Sequence, residues 1–470
     1  MSESSSGARL AEPPSPAPVE PASRGHRADL IFAALAVVLV GAATAVGLYY
    51  NDPKSGVVIY AKAPPIFGDW LPHVGPGSAF AVLIAAAVVL WGPSVAARTP
   101  WRRLLAFGYL ASLAWTMALV MVDGWARGFT TRLTTDNEYL HEVPNIPDIG
   151  YMLRSFSSRI LEGAPHFWTT HVGGHPPGAT LVFVWLDRIG LGGGAWAATA
   201  CVVVGCLIAV AVPATLSLLG RHDAARAVVP FAVLTPGVVW IGASADGLFA
   251  GVTATGIALL ALAAVGFTKR RRFAAFAAVG GGLLLGFGIF LSYGLVLLGV
   301  VALAVLIVGK QWRAAAFAVP AALAVVGVFA LAGFWWLDGY HLVVERYYQG
   351  IAHLRPYSYW VWADIASFLI ATGPAVVAGM RRTVTGAFLE KPKRSLLANP
   401  VLLIVLAAML AVAFADLSGL SKAEVERIWL PFGVWLIPAT ALLPTGSRRW
   451  WLAAQAATAL LVNHLVLTNW

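Results

Sequence analysis

GLFAGVTATGIALLALAAVGF (Gly247–Phe267), TKRRR (Thr268–Arg272) and FAAFAAVGGGLLLGFGIFLS (Phe273–Ser292) follow one another without a break. The outer two segments are 21 and 20 residues of almost unrelieved apolar sequence. At 1.5 Å per residue each makes a helix of about 30 Å, the thickness of a bilayer's hydrocarbon core. The basic knot between them reads as a short cytoplasmic loop, because Lys and Arg accumulate on that side. The pattern extends outward over the whole chain. Of 470 residues, 59% are hydrophobic and 11% charged, against about 25% charged in a soluble domain. Mean hydropathy is +0.76. No water-soluble fold buries that much apolar surface, so the bilayer is the solvent. The fold class expected is an all-α polytopic membrane protein.

Thirteen runs have spanning length, near 30–49, 78–96, 104–122, 196–219, 227–243, 247–267, 273–292, 294–309, 314–336, 364–380, 400–416, 429–443 and 450–467. A shorter one, 178–186, begins at Pro176-Pro177 and ends on Asp187-Arg188 before Gly192-Gly193-Gly194. An ion pair there is tolerable at an interface and costly at mid-bilayer. Counted as a crossing, it would move Thr268–Arg272 and Arg381–Arg394 outside. Read as an interfacial or re-entrant helix over Gly178–Gly190, it leaves 21 of the 32 Lys and Arg cytoplasmic. The expected topology is therefore about 13 transmembrane helices, with the N-terminus cytoplasmic and the C-terminus extracytoplasmic. Labels at Gly446 and Trp470 should report opposite sides, and finding both on one side overturns it.

Residues 1–28, rich in Ser, Pro, Ala and Glu, are expected to form a disordered cytoplasmic tail ahead of a transmembrane domain over 29–470. The apolar run after Asp29 comes too late and is too long for an ordinary cleaved signal peptide. Cys201 and Cys206 share one apolar helix, which argues against a disulfide or a metal site. The net charge of +10 follows from basic cytoplasmic loops, so nucleic acid is not an expected partner. Nothing resembles a Walker loop, a GxSxG elbow or a dinucleotide fingerprint.

Polar residues gather in loops expected on the extracytoplasmic side, above all in 123–194. There LTTDNEYLHEVPNIPDIGYMLRSF and WTTHVGGHPPG supply Asp136, Glu138, Tyr139, Asp148, His171 and His175. Asp246, Tyr347 and Tyr348 (in ERYYQGIAHLRPYSYW), and Glu426 and Arg427 (in SKAEVERIWLPF) join them. Any one of these charges alone is a solvated loop residue. As a group, interleaved with aromatic side chains that stack on sugar rings, they make a candidate substrate-binding face. Arg427 stands at the head of an apolar run, where it needs an anionic partner; a lipid phosphate is the obvious one. His171 and His175 have the i, i+4 spacing of metal ligands, but Gly173, Gly174 and Pro176 oppose the helix that would bring them together. A divalent cation is possible and no other cofactor is expected.

These residues resemble those of the GT-C superfamily, multi-span glycosyltransferases that use polyprenyl-phosphate sugars. Members related to protein O-mannosyltransferases and aminoarabinose transferases carry a D-E-x-x-Y-like acidic element in an outer loop, then an H/K-P-P-L-like element. Here Asp136-Asn137-Glu138-Tyr139 and His175-Pro176-Pro177-Gly178 stand in that order, followed by Thr235-Pro236 and Asp246. The acidic element follows the third apolar run instead of the first, and Asn137 separates the two acids. The strings from EYLHEVP to DRIGLGGGAW, with EVERIWLPF, look most like an actinobacterial subgroup that includes a methylthioxylose transferase acting on envelope lipoglycans.

The resemblance implies a GT-C-like fold with extracytoplasmic loop helices, a polyprenyl-phosphate sugar donor delivered through membrane lipid, and a cell-envelope glycan or lipoglycan acceptor. One of Asp136, Glu138 and Asp148 would be the general base, Asp136 first on the motif and Glu138 next. Arg427, His171 and His175 would meet the donor phosphate. Tyr139, Asp246, Glu426, Tyr347 and Tyr348 would bind substrate. The three acids are expected to border one cavity with His175 at its rim. Two other classes also fit the spans, a transporter or flippase of a lipid-linked or polar solute and a non-enzymatic glycolipid-binding assembly factor. Transporters tend to place polar sites near the midplane and to show internal repeats, and neither is evident here.

Overall fold

The computed structural model describes residues 25–267, 270–388 and 396–468. Most of the Ser- and Pro-rich tail (1–24), Lys269, Lys391, Lys393, Arg394 and Trp470 lie outside the described residues. The longer helices are α1 (His26–Tyr50), α2 (Ser78–Arg98), α3 (Trp101–Val120), α4 (Pro177–Arg188), α5 (Gly194–Gly205) and α6 (Ile208–Leu218). They continue with α7 (His222–Val233), α8 (Ala245–Gly266), α9 (Arg271–Leu291), α10 (Leu298–Gly309) and α11 (Arg313–Leu331). The last are α12 (Trp336–Gln349), α13 (Tyr357–Thr372), α14 (Pro374–Phe388), α15 (Pro400–Leu417) and α16 (Arg448–Leu465). The chain is an all-α polytopic membrane protein.

Eight units among the described residues are long and apolar enough to cross a membrane: α1, α2, α3, α5 with α6, α8, α9, α11 and α15. The number rises to ten if two sharply bent pairs each count as one span. The expected thirteen therefore depends on runs that are apolar but broken. The run 227–243 becomes α7 plus a 3-10 turn at Pro236–Trp240, and 429–443 becomes short helical pieces around Pro431 and Pro438. Proline removes a backbone donor and clashes with the preceding turn, and these segments lie buried among other helices where breaks can be re-satisfied.

The run 364–380 straddles a 108° bend between α13 and α14. Gly373 forms the corner at φ +83°, with Pro374 starting the next helix. A Cβ at Gly373 would sit 2.0 Å from Gln455 Oε1. Gln455 is fully buried on α16 and mends the break, donating to Thr372 O at 2.9 Å and accepting from Ala375 N at 3.1 Å.

Segment 178–186 lies within α4, whose twelve residues make about 18 Å of helix, too short to span. The bundle has two unlike ends. At one, Asp29 is clamped by Arg381 and Arg382 at 2.7 Å each, Arg226 bonds Ala96 O and Thr99 O, and Arg221 bonds Asn399. Gly309 packs against Ala264 and Leu219 at this same end. At the other, β1 (Gly68–Trp70) pairs antiparallel with β2 (Val466–Thr468), and the loops 50–77, 123–177 and 418–428 pack together. Among the described residues, Arg221, Arg226, Arg381 and Arg382 thus make their contacts away from the end where the polar loops pack.

Candidate active site

The 123–177 loop folds around a few short hydrogen-bonded turns. A turn over Thr135–Glu138, closed by Glu138 N to Thr135 O at 2.9 Å, puts Asp136 at its tip and Glu138 at its inner end. Asn137, which parts the two acids in sequence, is the pin of the loop: its carbonyl accepts His171 N at 3.0 Å and its side chain accepts Thr170 Oγ1 at 2.9 Å. That docking carries His171 to Glu138, with Nδ1 to Oε1 at 2.9 Å. Both residues are buried, and Glu138 Oε2 has no hydrogen-bond partner among the described residues.

Beneath them Tyr139 lies between His171 and His175 and stacks on Phe183 of α4. His175 bonds His171 O at 2.9 Å, and Pro176-Pro177 then open α4. Gly178 stands where the resembled motif carries Leu. A Cβ there would meet Phe290 O at 2.5 Å, so glycine lets α4 close on α9 beneath the site.

The opposite wall comes from distant sequence. Ser244 caps α8 by accepting Asp246 N, and Asp246 Oδ2 accepts Arg427 Nη1 at 2.7 Å. Arg427 Nη2 donates to Glu424 Oε2 at 2.6 Å, and Arg355 approaches the other oxygen of Glu424 at 3.5 Å. Burial alone would raise the Glu424 carboxyl, but Arg427 and Arg355 outweigh it and hold it below its usual value. Burial likewise works against the Arg427 charge, and Asp246 and Glu424 outweigh it, locking the guanidinium on.

Arg132 enters from the side, bonding Asp123 Oδ2 at 2.9 Å and the carbonyl of Thr468. Glu138, Tyr139, His171, Ala243–Asp246, Arg427 and Arg132 together line one cavity of about 10 Å³, room for a single water.

Five of the expected residues therefore meet at one place: Glu138, Tyr139, His171, Asp246 and Arg427, with His175 packed directly behind. The others do not join them. The Asp136 side chain is 98% exposed, with its carboxylate 3.7 Å from His141. Asp148 is exposed and caps the helix Ile149–Ser155, accepting Tyr151 N at 2.9 Å, so its carboxylate is spent on backbone. The three acids do not border a common cavity.

Glu426 is wholly buried elsewhere, accepting from Ser367 Oγ at 2.8 Å and Phe67 N at 3.0 Å. The Tyr347 hydroxyl accepts Lys422 N, and Tyr348 lies under Lys422 Nζ, both outside the cavity. Sequence reading missed Arg132, Ser244 and Glu424. Glu424 carried a signal, its i, i+3 spacing to Arg427, while Arg132 carried none. Contrary to the expectation from Gly173 and Gly174, Thr170–Gly174 is a helical turn, but His175 lies past its end in extended backbone. Its ring is 6.2 Å from that of His171, and among the described residues no three His, Cys, Asp or Glu side chains are grouped to hold a metal.

The chain matches no protein-family model and no curated protein. Among solved structures it is similar to the oligosaccharyltransferase of Archaeoglobus fulgidus in complex with Zn and sulfate, at TM-score 0.42 and 12% identity, covering 77% of this chain and 53% of that one. The apo form of that protein gives 0.39, 13%, 74% and 50%. The archaeal oligosaccharyltransferase AglB from the same organism, in complex with an inhibitory peptide and a dolichol-phosphate, gives 0.33, 13%, 77% and 50%. This chain spans about half the length of those proteins. The likeness is distant, and the chemistry of the site rests on its own residues.

His175 gives the site a pH signature. Burial, only partly offset by Asp246, lowers its pKa to about 4. A histidine near 6.5 when unfolded and about 4 when folded binds more protons unfolded between those values. Stability should therefore fall as pH drops from about 6.5 toward 4, and His175→Gln should flatten that window. Thermal unfolding in detergent across pH 4–7 measures it; identical slopes for the two proteins would show that His175 is not held neutral.

Proposed function

We propose that the chain is an integral membrane glycosyltransferase that moves a sugar from a polyprenyl-phosphate donor to a cell-envelope glycan or lipoglycan acceptor, on the extracytoplasmic side and with inversion. The observation that carries this reading is Glu138. It is a buried carboxylate oriented through one oxygen by His171, with its second oxygen unpartnered, in the same cavity as Arg132 and Arg427.

An acceptor hydroxyl gives its proton to Glu138 as its oxygen bonds the anomeric carbon. The bond from that carbon to the phosphate oxygen breaks, and the polyprenyl phosphate leaves with the electron pair. Arg427 and Arg132 are the cations at hand for the charge that develops on the phosphate. The cavity admits only a water, so substrates must part the 123–177 loop from Asp246. The motif resemblance suggests a pentose such as methylthioxylose, but the sugar does not follow from it.

The broken helices at Gly373 would suit a transporter. Gln455 and Pro236 pack against that corner, however, and Gln455 takes up the backbone groups that the break frees. The test is lipid analysis of cells lacking the protein. A polyprenyl-phosphate sugar should accumulate on the extracytoplasmic leaflet while its glycan product disappears. Normal product with no accumulating lipid would overturn the transferase.

A further inference from the structure

At the basic end, about a membrane's thickness along α16 from the candidate active site, lies a second cavity of about 240 Å³. Its walls are α2 at Pro93, Ala96 and Ala97, α7 at Ala227 and Phe231, and α16 at Leu452. Three charges face it: Arg226, Arg448 and Asp223. Arg226 spends one nitrogen, Nη1, on Ala96 O and Thr99 O, and its plane lies over Trp101. Arg448 bonds Ala441 O through Nη2 at a long 3.4 Å, and its buried Nε has no hydrogen-bond partner among the described residues. Asp223 is exposed and offsets one of the two cations, which leaves the lining at net +1. A half-buried guanidinium with a buried, unpartnered Nε is costly unless an anion arrives. Trp91 and Trp450, 62% and 79% exposed, stand on the outer faces of α2 and α16, two residues from Pro93 and Leu452 and outside the lining, where tryptophan marks the headgroup level.

We propose that this cavity binds the phosphodiester headgroup of a glycerophospholipid, between Arg226 and Arg448, with the acyl chains lying along the apolar α2–α7 wall. The single negative charge of the phosphodiester matches the net +1 of the lining. The apolar wall of Pro93, Ala97, Ala227, Phe231 and Leu452 favours a lipid over a free anion. On the topology argued above the lipid belongs to the cytoplasmic leaflet, and nothing in the proposal depends on the transferase reading.

The full-length protein, delipidated in detergent, is titrated by native mass spectrometry with phosphatidylglycerol, diacylglycerol of the same chains, and inorganic phosphate. Phosphatidylglycerol should stay bound while the other two do not. Arg448→Gln should cut retention by about tenfold, whereas Arg449→Gln, next door but outside the lining, should keep it. Ala97→Phe fills the cavity without touching any charge and should cut retention equally, which carries the test if Arg448→Gln fails to fold. Retention of diacylglycerol or inorganic phosphate as strong as that of phosphatidylglycerol overturns the proposal. So does wild-type retention in Ala97→Phe.

Discussion

Glu138→Gln should lower turnover with a lipid-linked donor by about two to four orders of magnitude, while Asp136→Asn and Asp148→Asn stay near wild type. The contrast comes from where the three carboxylates sit. Glutamine keeps the shape of Glu138 and one bond to His171 but cannot accept the acceptor's proton. Asp136 stands in solvent at a turn tip and Asp148 is engaged with the backbone of its own helix, so neither is placed to take that proton from a substrate in the cavity. Donor binding in Glu138→Gln should be largely retained, because the proposed phosphate contacts lie on Arg427 and Arg132. Purified protein in a single-turnover assay reads both quantities. Near-normal turnover in Glu138→Gln would remove the base from this cavity, and a large loss in Asp136→Asn would return it to the motif's first acid.

Much of this was legible in the sequence. Apolar runs of about twenty residues, punctuated by Arg and Lys, dictate membrane helices on composition alone. Their count was less legible, because hydropathy does not register a corner: 364–380 is apolar throughout, yet Gly373-Pro374 bends it and Gln455 mends it. The site was half legible. Acids, histidines and Arg427 could be placed on one side of the membrane by parity. Which acid faces inward depends on a turn closed by a backbone bond and on Asn137 reaching a segment more than thirty residues away. Asn137 read as an interruption of the acidic pair, whereas in the fold it delivers His171 to Glu138. Arg132 was invisible because its place depends on Asp123 and on the last strand of the chain.

Arg427→Met should destabilise the protein by about 3–5 kcal/mol, the usual cost of stranding a buried charge whose partner has gone. Here Asp246 would be stranded and Glu424 left with only the longer contact to Arg355 at 3.5 Å, where each carboxylate now lies within 2.7 Å of the Arg427 guanidinium. Lysine does not rescue this, since one ammonium cannot reproduce a fork that holds two separate carboxylates through Nη1 and Nη2. The sequence assigned Arg427 to the donor phosphate because an arginine at that depth needs an anion. The fold already supplies two, so a structural role accounts for the residue as well as a catalytic one. The triple substitution Arg427→Met, Asp246→Asn, Glu424→Gln separates them. Removing all three charges together should recover much of the lost stability, since the one cation left without its carboxylate, Arg355, still donates to Ile59 O and Lys422 O. If Arg427 also steadies the leaving phosphate, the refolded triple variant should still turn over at least a hundredfold more slowly. Recovery of turnover along with stability would make Arg427 a strut and leave Arg132 as the cation that meets the phosphate.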